Sequence, residues 1–341
     1  MYLVYIIRFS IGINQNYQPK TNNKKIPISV IIAVKNGGRS VPLMLNALSK
    51  QIYDGDMEFI IIDDNSTDNT RNDIINFSNQ DNRFQYVHSS SGSRDLQHKK
   101  RALDAGIKHS KYEHLVLTDI DCIIQSEWIA STASLFTNEI NYIIGHAYIN
   151  NKKTLLNKFQ RVDLLMLLFA SYGSTSLGAP WASTGQNQAY TKTLYNKIGG
   201  FNQLKQYLQG DDTLFLQLAI KHGAQVAFNS DPKSHVISRT ETKWMNLLQQ
   251  RARWSGDANV MWKFNINFYL AALATFNINL IITMLIFTPY FKIGLIALSA
   301  KVFFETIMYI SGMKKLQYQN LNYIDFICWS LMVPVYTVIM G

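Results

Sequence analysis

Two aspartates follow a short apolar run and share one side of an extended segment. Residues 115–118 read Leu-Val-Leu-Thr, and Asp119, Ile120 and Asp121 come next. Because side chains alternate along an extended chain, the carboxylates of Asp119 and Asp121 point the same way. Mg²⁺ and Mn²⁺ accept carboxylate oxygens together with phosphate oxygens. The pair therefore predicts a metal–diphosphate site, although so short a motif also occurs by chance.

A second acidic pair, Asp63 and Asp64, ends another β-branched run and leads into Asn65-Ser66-Thr67. A ligand-binding role would use both carboxylates at the end of a strand. The alternative is a capped turn, because Asn, Ser, Thr and Asp all cap helix N-termini. The pair alone favours capping.

A third acidic pair, Asp211 and Asp212, follows Gly210 and precedes the amphipathic run of residues 213–222. Carboxylates in a first helical turn are ordinary partners of the helix dipole. One of them could instead be a general base for an attacking hydroxyl, a role that typically contributes roughly 10²- to 10⁴-fold to a rate.

A basic and aromatic segment, Gln250-Arg251-Ala252-Arg253-Trp254, precedes the first long apolar stretch. Basic residues and an interfacial Trp beside a membrane are typical anchors. The same residues could cover a diphosphate and a sugar ring with cationic and aromatic groups. The segment by itself leaves both roles open.

These residues have to be positioned by strands and helices that alternate between residues 26 and 223. Runs rich in β-branched residues predict strands at 29–34, 59–63, 84–87, 115–118 and 142–144, and helical patterns predict helices at 41–50, 69–78, 99–109 and 128–136. This alternation is typical of an α/β fold with a largely parallel sheet. Such sheets bind ligands at the carboxyl ends of their strands, where the first two acidic pairs fall.

The last quarter of the chain is strongly apolar. Residues 264–291 contain no charged residue over 28 positions, which is more than the roughly 20 residues that a helix needs to cross a bilayer. Residues 293–313 and 323–341 are also apolar, with Lys301 and Glu305 in the former and Asp325 in the latter. We therefore predict about three transmembrane helices. Lys301 and Glu305 share a helix face, and they predict either a neutralised pair inside a helix bundle or a polar lining of a path.

The loop charges predict an orientation in the membrane. Lys314 and Lys315 follow the second apolar stretch, whereas the loop before it has only Lys292. By the positive-inside rule, the large N-terminal region lies in the cytosol of a multi-pass cell-membrane protein.

The start of the chain, residues 1–13, is apolar but too short to span a bilayer, and Arg8 interrupts it. We predict an interfacial segment and linker at 1–25, a catalytic domain at 26–240, an amphipathic membrane-surface helix at 241–263 and transmembrane helices at 264–341. Because residues 1–13 and the run that ends at Gly341 are apolar, we expect that the natural chain extends beyond both ends of this sequence.

Composition excludes several classes of protein. Of the 341 residues, 33 are Lys or Arg and 23 are Asp or Glu; 29 basic and 21 acidic residues precede residue 264, so +8 of the net +10 lies there. This charge suits an anionic bilayer surface, because no basic run exceeds Lys99-Lys100-Arg101 and no nucleic-acid-binding motif is present. Two distant cysteines, Cys122 and Cys328, rule out a disulfide framework and favour a reducing compartment.

Taken in this order and spacing, the segments from residue 26 to residue 254 resemble the family 2 glycosyltransferases, especially the membrane-embedded branch of cellulose, chitin and hyaluronan synthases. The resemblance implies a GT-A, Rossmann-like domain that binds a nucleotide sugar, followed by transmembrane helices. It also implies a UDP-sugar donor, Mg²⁺ or Mn²⁺, and inversion at the anomeric carbon.

On the donor side, the resemblance carries over to individual positions. Residues 29–33, ending at Ala33, look like the family's first strand. Asp63 and Asp64 match its DD motif, whose second Asp is implied to contact the uracil-ribose end. Lys99 looks like the lysine that approaches the nucleotide or diphosphate. Asp119 and Asp121 match the metal-binding DxD, with Asp119 also near the donor.

On the acceptor side, residues 184–187, which include Gly185, resemble the segment beside the acceptor. Asp212 matches the last Asp of the ED/TED motif, the implied base, and Asp211 stands where Glu is usual. The motif QxxRW, which is associated with polymer-forming members, is matched by Gln250, Arg253 and Trp254.

Other departures concern the donor contacts. His98 precedes Lys99 where the family has Gly, and Asn36 is followed by Gly37 where an acidic residue is common.

The resemblance implies sugar transfer from a UDP-sugar to a glycan or lipid-linked acceptor at the membrane, with processive polysaccharide synthesis as one form. One alternative is nonprocessive transfer of a single sugar to a polyprenyl phosphate or other lipid. Another is an inactive membrane scaffold that binds a nucleotide sugar. No nucleic acid is expected as a partner.

Overall fold

The computed structural model describes residues 1–318 and 322–340, and these form two compact units. A sheet unit comprises Gln18–Tyr148 and Ala182–Arg239. The described parts of Met1–Tyr17, Ile149–Trp181 and Thr240–Gly341 form a helical unit.

The sheet unit contains nine strands in two sheets. They are β1 (Ile28–Val34), β2 (Met57–Asp63), β3 (Phe84–His88), β4 (His114–Leu117), β5 (Tyr142–Ile144), β6 (Ala147–Tyr148), β7 (Gln188–Thr191), β8 (Val226–Phe228) and β9 (Val236–Ile237). Seven of them form one sheet in the order β3-β2-β1-β4-β7-β5-β8, and β6 pairs with β9. The helices of this unit are α2 (Ser40–Ser49), α3 (Thr70–Ser78), α4 (His98–His109), α5 (Trp128–Ala133), α7 (Lys192–Ile198) and α8 (Thr213–Lys221).

The central strands form because they are continuous apolar runs that helices can cover on both faces. In β1, Ile28, Val30 and Ile31 are fully buried, and so are Phe59 and Ile60 in β2. β1 lies parallel to both β2 and β4. The carboxyl ends of these three strands therefore meet at one edge of the sheet.

One strand runs against this direction. β7 pairs antiparallel with β4, and Gln188 lies opposite Leu117. The beginning of β7 thus lies at the edge where β4 ends, and the residues just before it reach that edge as well.

The predicted α/β fold is confirmed, and all five predicted strands are present within one or two residues of their expected ends. The four predicted helices of this part are also present, although α5 ends at Ala133 rather than at residue 136. The sequence patterns did not predict β6 to β9, which are two to four residues long and carry little periodicity.

The helical unit is built from α1 (Tyr2–Asn14), α6 (Leu155–Ser176), α9 (Trp244–Val260), α10 (Ile266–Ile286), α11 (Phe291–Lys315) and α12 (Tyr323–Met340). Among the described residues, α10, α11 and α12 are long and apolar enough to cross a membrane. They coincide with the three predicted spans, except that residues 319–321 and Gly341 of the predicted 264–341 region lie outside the described residues.

The first helix packs closely within this unit. A Cβ placed on Gly12 of α1 would lie 2.0 Å from the carbonyl oxygen of Gly173 in α6. Such backbone approach is possible only between residues without side chains. The segment expected to be interfacial is thus a helix in direct contact with α6.

The two units divide the chain differently from the predicted linear boundaries. Residues Ile149–Trp181 carry α6 and belong to the helical unit, although the sequence places them inside the 26–240 domain. Their mixed pattern hides this membership, since Lys158, Arg161 and Asp163 interrupt an otherwise apolar helix. Charged residues of α6 have partners within the helical unit, as shown by the Lys158–Asp325 ion pair at 3.1 Å.

Candidate active site

Three separate chain segments bring acidic and basic side chains to the carboxyl edge of the main sheet. Asp119 and Asp121 follow β4, and Asp211 and Asp212 precede α8. Lys99 lies in the first turn of α4. The parallel pairing of β1 with β2 and β4 explains why segments far apart in sequence meet here.

Lys99 connects two of these acidic segments. Its Nζ lies 2.8 Å from Asp119 Oδ1 and 2.9 Å from Asp211 Oδ2. Burial alone lowers the pKa of this ammonium, but the two carboxylates outweigh burial and hold the pKa well above its usual value. Lys99 is therefore a fixed positive charge at the site.

Asp212 is held by backbone groups on two sides. Its Oδ1 accepts from Thr213 N at 2.5 Å, which caps α8, and its Oδ2 accepts from Gly185 N at 3.1 Å. Each carboxylate oxygen has a second lone pair, so Asp212 can still accept a proton. Burial, followed by repulsion from Asp211, raises the pKa of Asp212 to about 6. This value suits a general base near neutral pH.

Gly185 leaves the space in which the charged cluster forms. A Cβ at this position would lie 2.9 Å from Lys99 Nζ, 3.3 Å from Asp211 Oδ2 and 3.6 Å from Asp212 Oδ2. Gly185 reaches the cluster because it lies three residues before the antiparallel strand β7, which begins at the edge where β4 ends. Asn187, two residues later, is anchored by hydrogen bonds of 2.9 Å from its Nδ2 to His146 O and Ser234 O.

The DxD pair has the character of a cation site. Burial first, and repulsion from Asp119 second, raises the pKa of Asp121, so a cation between the two carboxylates would relieve an unfavourable interaction. Within residues 1–318 and 322–340, no group of three or more His, Cys, Asp or Glu side chains could hold a metal. Two carboxylates nevertheless suit Mg²⁺ or Mn²⁺, which commonly takes its other ligands from substrate phosphate and water.

The two residues of the DD motif differ in their surroundings. Asp63 is buried, and its Oδ1 accepts from Ser66 N at 2.9 Å while its Oδ2 accepts from Tyr86 Oη at 3.3 Å. It therefore organises the turn after β2. Asp64 instead lines a polar cavity, and its backbone N–H donates to Val34 O at 2.7 Å. Ala33 lies beside this edge in β1, opposite Ile62 of β2.

This cavity is about 410 Å³ and is lined by Lys35, Asp64, Asn65, Arg94, Leu96, Gln97, His98 and Arg101. Three of these side chains are cationic and one is acidic, which makes the cavity favourable for an anionic ligand. Apart from Asp64, sequence reasoning assigned no role to them. His98 replaces the family glycine at a φ of 52°, the left-handed region in which glycine is favoured.

Lys100 is a further residue that sequence reasoning missed. Its buried Nζ donates to the carbonyl oxygens of Tyr207, Leu208 and Gln209, the last at 2.8 Å. These carbonyls belong to the loop that leads into Asp211 and Asp212. The side chain thus fixes the path of that loop. In the sequence, its place in the basic run 99–101 is the signal that marks Lys100.

The remaining predicted residues lie on α9 in the helical unit. Arg253 is exposed, and Gln250 and Trp254 are half-buried. Their neighbour Arg251 is buried and contacts both of them.

Known proteins share both the sequence pattern and the fold. A poly-β-1,6-N-acetyl-D-glucosamine synthase of Staphylococcus epidermidis is 27% identical over 191 residues, 54% of this chain but only 45% of the relative. The glycosyltransferase GlyG of Streptococcus pneumoniae is 29% identical over 122 residues, 36% of this chain and 39% of that protein. The matched part therefore spans less than half of these relatives.

Among solved structures, a mannosyltransferase of Pyrobaculum calidifontis, determined with GDP-Man and Mn²⁺, superposes with a TM-score of 0.68. It is 14% identical, and the match covers 99% of this chain and 93% of that one. The agreement shows a common fold. The model of glycosyl transferase family 2 matches residues 29–232, more than half of the chain. Together with the GT-A fold, this match shows that the chain is a member of glycosyl transferase family 2.

Proposed function

We propose that this enzyme transfers a sugar from a UDP-sugar to a glycan or lipid-linked acceptor at the membrane, with inversion at the anomeric carbon. The observation that carries the proposal is the position of Lys99 Nζ, 2.8 Å from Asp119 and 2.9 Å from Asp211. This contact joins the proposed donor side of the site to the acidic segment that ends in Asp212.

In the proposed reaction, the acceptor hydroxyl attacks the anomeric carbon while its proton moves to the Asp212 carboxylate. The bond between the anomeric carbon and the diphosphate oxygen breaks, and UDP leaves. One base suffices for such a direct displacement. Asp64 and the cavity residues bind the nucleoside, and Gly185 leaves room beside Asp212 for the reacting groups.

Asp119 and Asp121 are the residues that would hold Mg²⁺ or Mn²⁺. Such an ion neutralises the charge that develops on the leaving diphosphate. The Pyrobaculum calidifontis protein of the same fold was determined with Mn²⁺, so Mn²⁺ is the first ion to test. Gln250, Arg253 and Trp254 are proposed to contact the diphosphate and the acceptor, with Arg253 supplying a cation.

Polymer formation is the form of transfer that the relatives favour. The Staphylococcus proteins bear the name of a polymer synthase, and we therefore propose UDP-N-acetylglucosamine as the first donor to test. Transfer of one sugar to a lipid is favoured by a different observation. Lys301 and Glu305 are buried and paired at 2.8 Å, which is typical of a packed bundle rather than a polar path.

The test uses the full chain purified in membranes with Mn²⁺. Release of UDP is measured with UDP-N-acetylglucosamine, UDP-glucose, UDP-galactose and UDP-glucuronate, with GDP-mannose as a comparison. We expect release from one UDP-sugar, a labelled product of the opposite anomeric configuration, and loss of both with chelator. Product sizing then separates a polymer from a single transfer. No release from any donor, with UDP still bound, would support the inactive scaffold instead.

A further inference from the structure

A buried arginine inside the QxxRW segment contacts two of the three motif residues. Arg251 Nη1 donates to Gln250 Oε1 at 3.0 Å, and the guanidinium carbon lies 4.0 Å from the centre of the Trp254 ring. The motif itself leaves this position open to any residue. In this chain it holds the side chain that links the motif residues to each other.

The contact with Gln250 determines how its amide is oriented. Arginine has N–H donors and no acceptor, so the amide oxygen of Gln250 faces Arg251. The two N–H donors of the Gln250 amide are consequently directed away from that contact. A residue held in this way presents donors to an oxygen-rich ligand such as a sugar or a diphosphate.

Arg251 is held in turn by an acidic residue of another helix. Its Nε donates to Asp163 Oδ2 at 2.8 Å, and both residues are buried. Asp163 lies in α6 and also accepts from Trp329 Nε1 of α12 at 3.4 Å. The pair therefore fixes α9 against two other helices of the same unit.

The neighbouring arginine has different surroundings. Arg253 follows Arg251 by two positions, which is about 200° around a helix, and it is exposed. A buried ion pair contributes little net stability compared with an apolar pair, so stability alone gives weak grounds for Asp163 and Arg251. The contacts of Arg251 with Gln250 and with Trp254 point to a different role, which is to orient these two side chains.

We propose that Asp163 and Arg251 are positioning residues that orient Gln250 and Trp254 for sugar transfer, while Arg253 remains the arginine that contacts substrate. The kinetic part of this proposal rests on the proposed function above. The orientation of Trp254 can be measured without any activity.

The main variant is Arg251→Lys. Lysine keeps a positive charge for Asp163, but a single ammonium cannot also stack on Trp254 and bridge to Gln250. We expect the kcat of transfer to fall about ten- to hundredfold because reacting groups are misplaced. The Kd for UDP with Mn²⁺ should rise by a smaller factor than the one by which kcat falls, since the proposed contacts of Asp64 and its cavity with the nucleoside lie in the sheet unit and stay intact. Asp163→Asn keeps an acceptor oxygen for Arg251, so it should lower kcat less than Asp163→Ala does.

The control is Lys158→Gln, which breaks a different ion pair of α6, that of Lys158 with Asp325 in α12, and leaves α9 untouched. It should leave the kcat of the folded protein unchanged. If Lys158→Gln lowers kcat as much as Arg251→Lys does, general loss of stability explains the effect and the proposal is wrong. The double variant Arg251→Lys/Trp254→Phe should have a kcat only slightly lower than that of either single variant, because both changes remove the same contact. If the two losses in kcat are fully additive, the residues do not act together and the proposal is also wrong.

The activity-independent readout is the ¹⁹F spectrum of protein labelled with 5-fluorotryptophan. The Trp254 resonance is identified by its loss in Trp254→Phe. It should move in Arg251→Lys and in Asp163→Ala, and stay in place in Lys158→Gln. An unmoved resonance in Arg251→Lys overturns the positioning role whether or not sugar is transferred. If the wild type uses no donor, the proposed function fails and the spectrum still decides the positioning role.

Discussion

The carboxylate of Asp212 holds two separate segments of the chain in place. It caps α8 through Thr213 N and holds the Gly185 segment through a 3.1 Å hydrogen bond. Asp212 is thus the N-cap of α8 and not a member of its first turn, where the sequence predicts a partner of the helix dipole. This structural role coexists with the proposed catalytic role. A carboxylate fixed at both oxygens keeps a constant position, which suits proton transfer from an acceptor hydroxyl.

Asp212→Asn should abolish transfer while UDP binding survives. The amide can no longer take the acceptor proton, although it can still cap the helix. In the wild type, protonation below pH about 6 should reversibly lower kcat, since the carboxyl with the raised pKa is then neutral. The kcat of the wild type is measured from sugar transfer between pH 5 and 8, and UDP binding to Asp212→Asn is measured by titration.

The control is Asp231→Asn, which removes another capping carboxylate of the same unit and should leave kcat unchanged. Loss of UDP binding together with transfer in Asp212→Asn would count against its assignment as the base.

Gly185→Ala tests the space around Lys99. The new methyl group would lie 2.9 Å from Lys99 Nζ, so the ammonium must shift from its observed position between Asp119 and Asp211. Because the ammonium is the far end of a flexible side chain, it can shift without a change in the fold, and Tm should change by a few degrees at most. We expect kcat/KM to fall roughly tenfold or more. A variant with wild-type kcat/KM would show that the observed lysine position is dispensable.

At the scale of elements, the close crossing of α1 and α6 depends on glycine. Gly12→Ala should destabilise the protein by roughly 1–3 kcal/mol, because the added Cβ meets the Gly173 carbonyl oxygen at 2.0 Å and the backbones must separate. The matched control is Gly256→Ala in α9, where nothing lies within 4 Å of the added Cβ; it should stabilise by about 0.5–1 kcal/mol. Thermal unfolding in detergent compares the two, and equal Tm values would contradict the close crossing.

Two buried histidines give the sheet unit a predicted pH dependence. His146 and His235 have ring centres 4.5 Å apart. Burial lowers the pKa of both, and that of His235 to about 4. Between pH about 6.5 and 4, the unfolded chain binds protons on these histidines that the folded protein does not bind. The free energy of unfolding therefore decreases as the pH falls through this window, and above it the histidines cause no loss of stability.

The His235 contribution should amount to roughly 1–3 kcal/mol over this window. His235→Gln should flatten the dependence of the unfolding free energy on pH, whatever it does to stability at pH 7.5. Denaturant unfolding at pH 7.5, 6 and 5 measures the slope. The same slope in variant and wild type would show that His235 does not cause it.

At the scale of the whole molecule, the three helices that are long and apolar enough to cross a membrane within residues 1–318 and 322–340 predict that the chain resists extraction by alkaline carbonate. The positive-inside rule further predicts that the sheet unit is cytosolic and that the turn between α10 and α11 is external. On intact cells, a membrane-impermeant maleimide should label Tyr290→Cys, and it should label Asp56→Cys only after permeabilisation. Wild type, with Cys122 buried and Cys328 within α12, measures the background. The reverse labelling pattern would show that the sheet unit lies outside the cell and that the predicted orientation is wrong.

Local patterns in the sequence determined much of this protein. The apolar runs of β1, β2 and β4 and the three C-terminal helices follow from composition and periodicity, because burial of an apolar run is encoded in the run itself. The order and spacing of the acidic motifs identified the family. The DD motif shows the limit of such reasoning, since the pattern could not tell that Asp63 organises a turn while Asp64 faces a cavity.

Only the tertiary structure decided which distant residues meet. The antiparallel β7 brings Gly185 to Asp212, Lys99 joins Asp119 to Asp211, and α6 belongs to the helical unit despite its place in the chain. It also distinguished the buried Arg251 from the exposed Arg253 within one motif. Strand pairing and the buried face of a helix depend on contacts between residues far apart in sequence, and no local pattern contains that information.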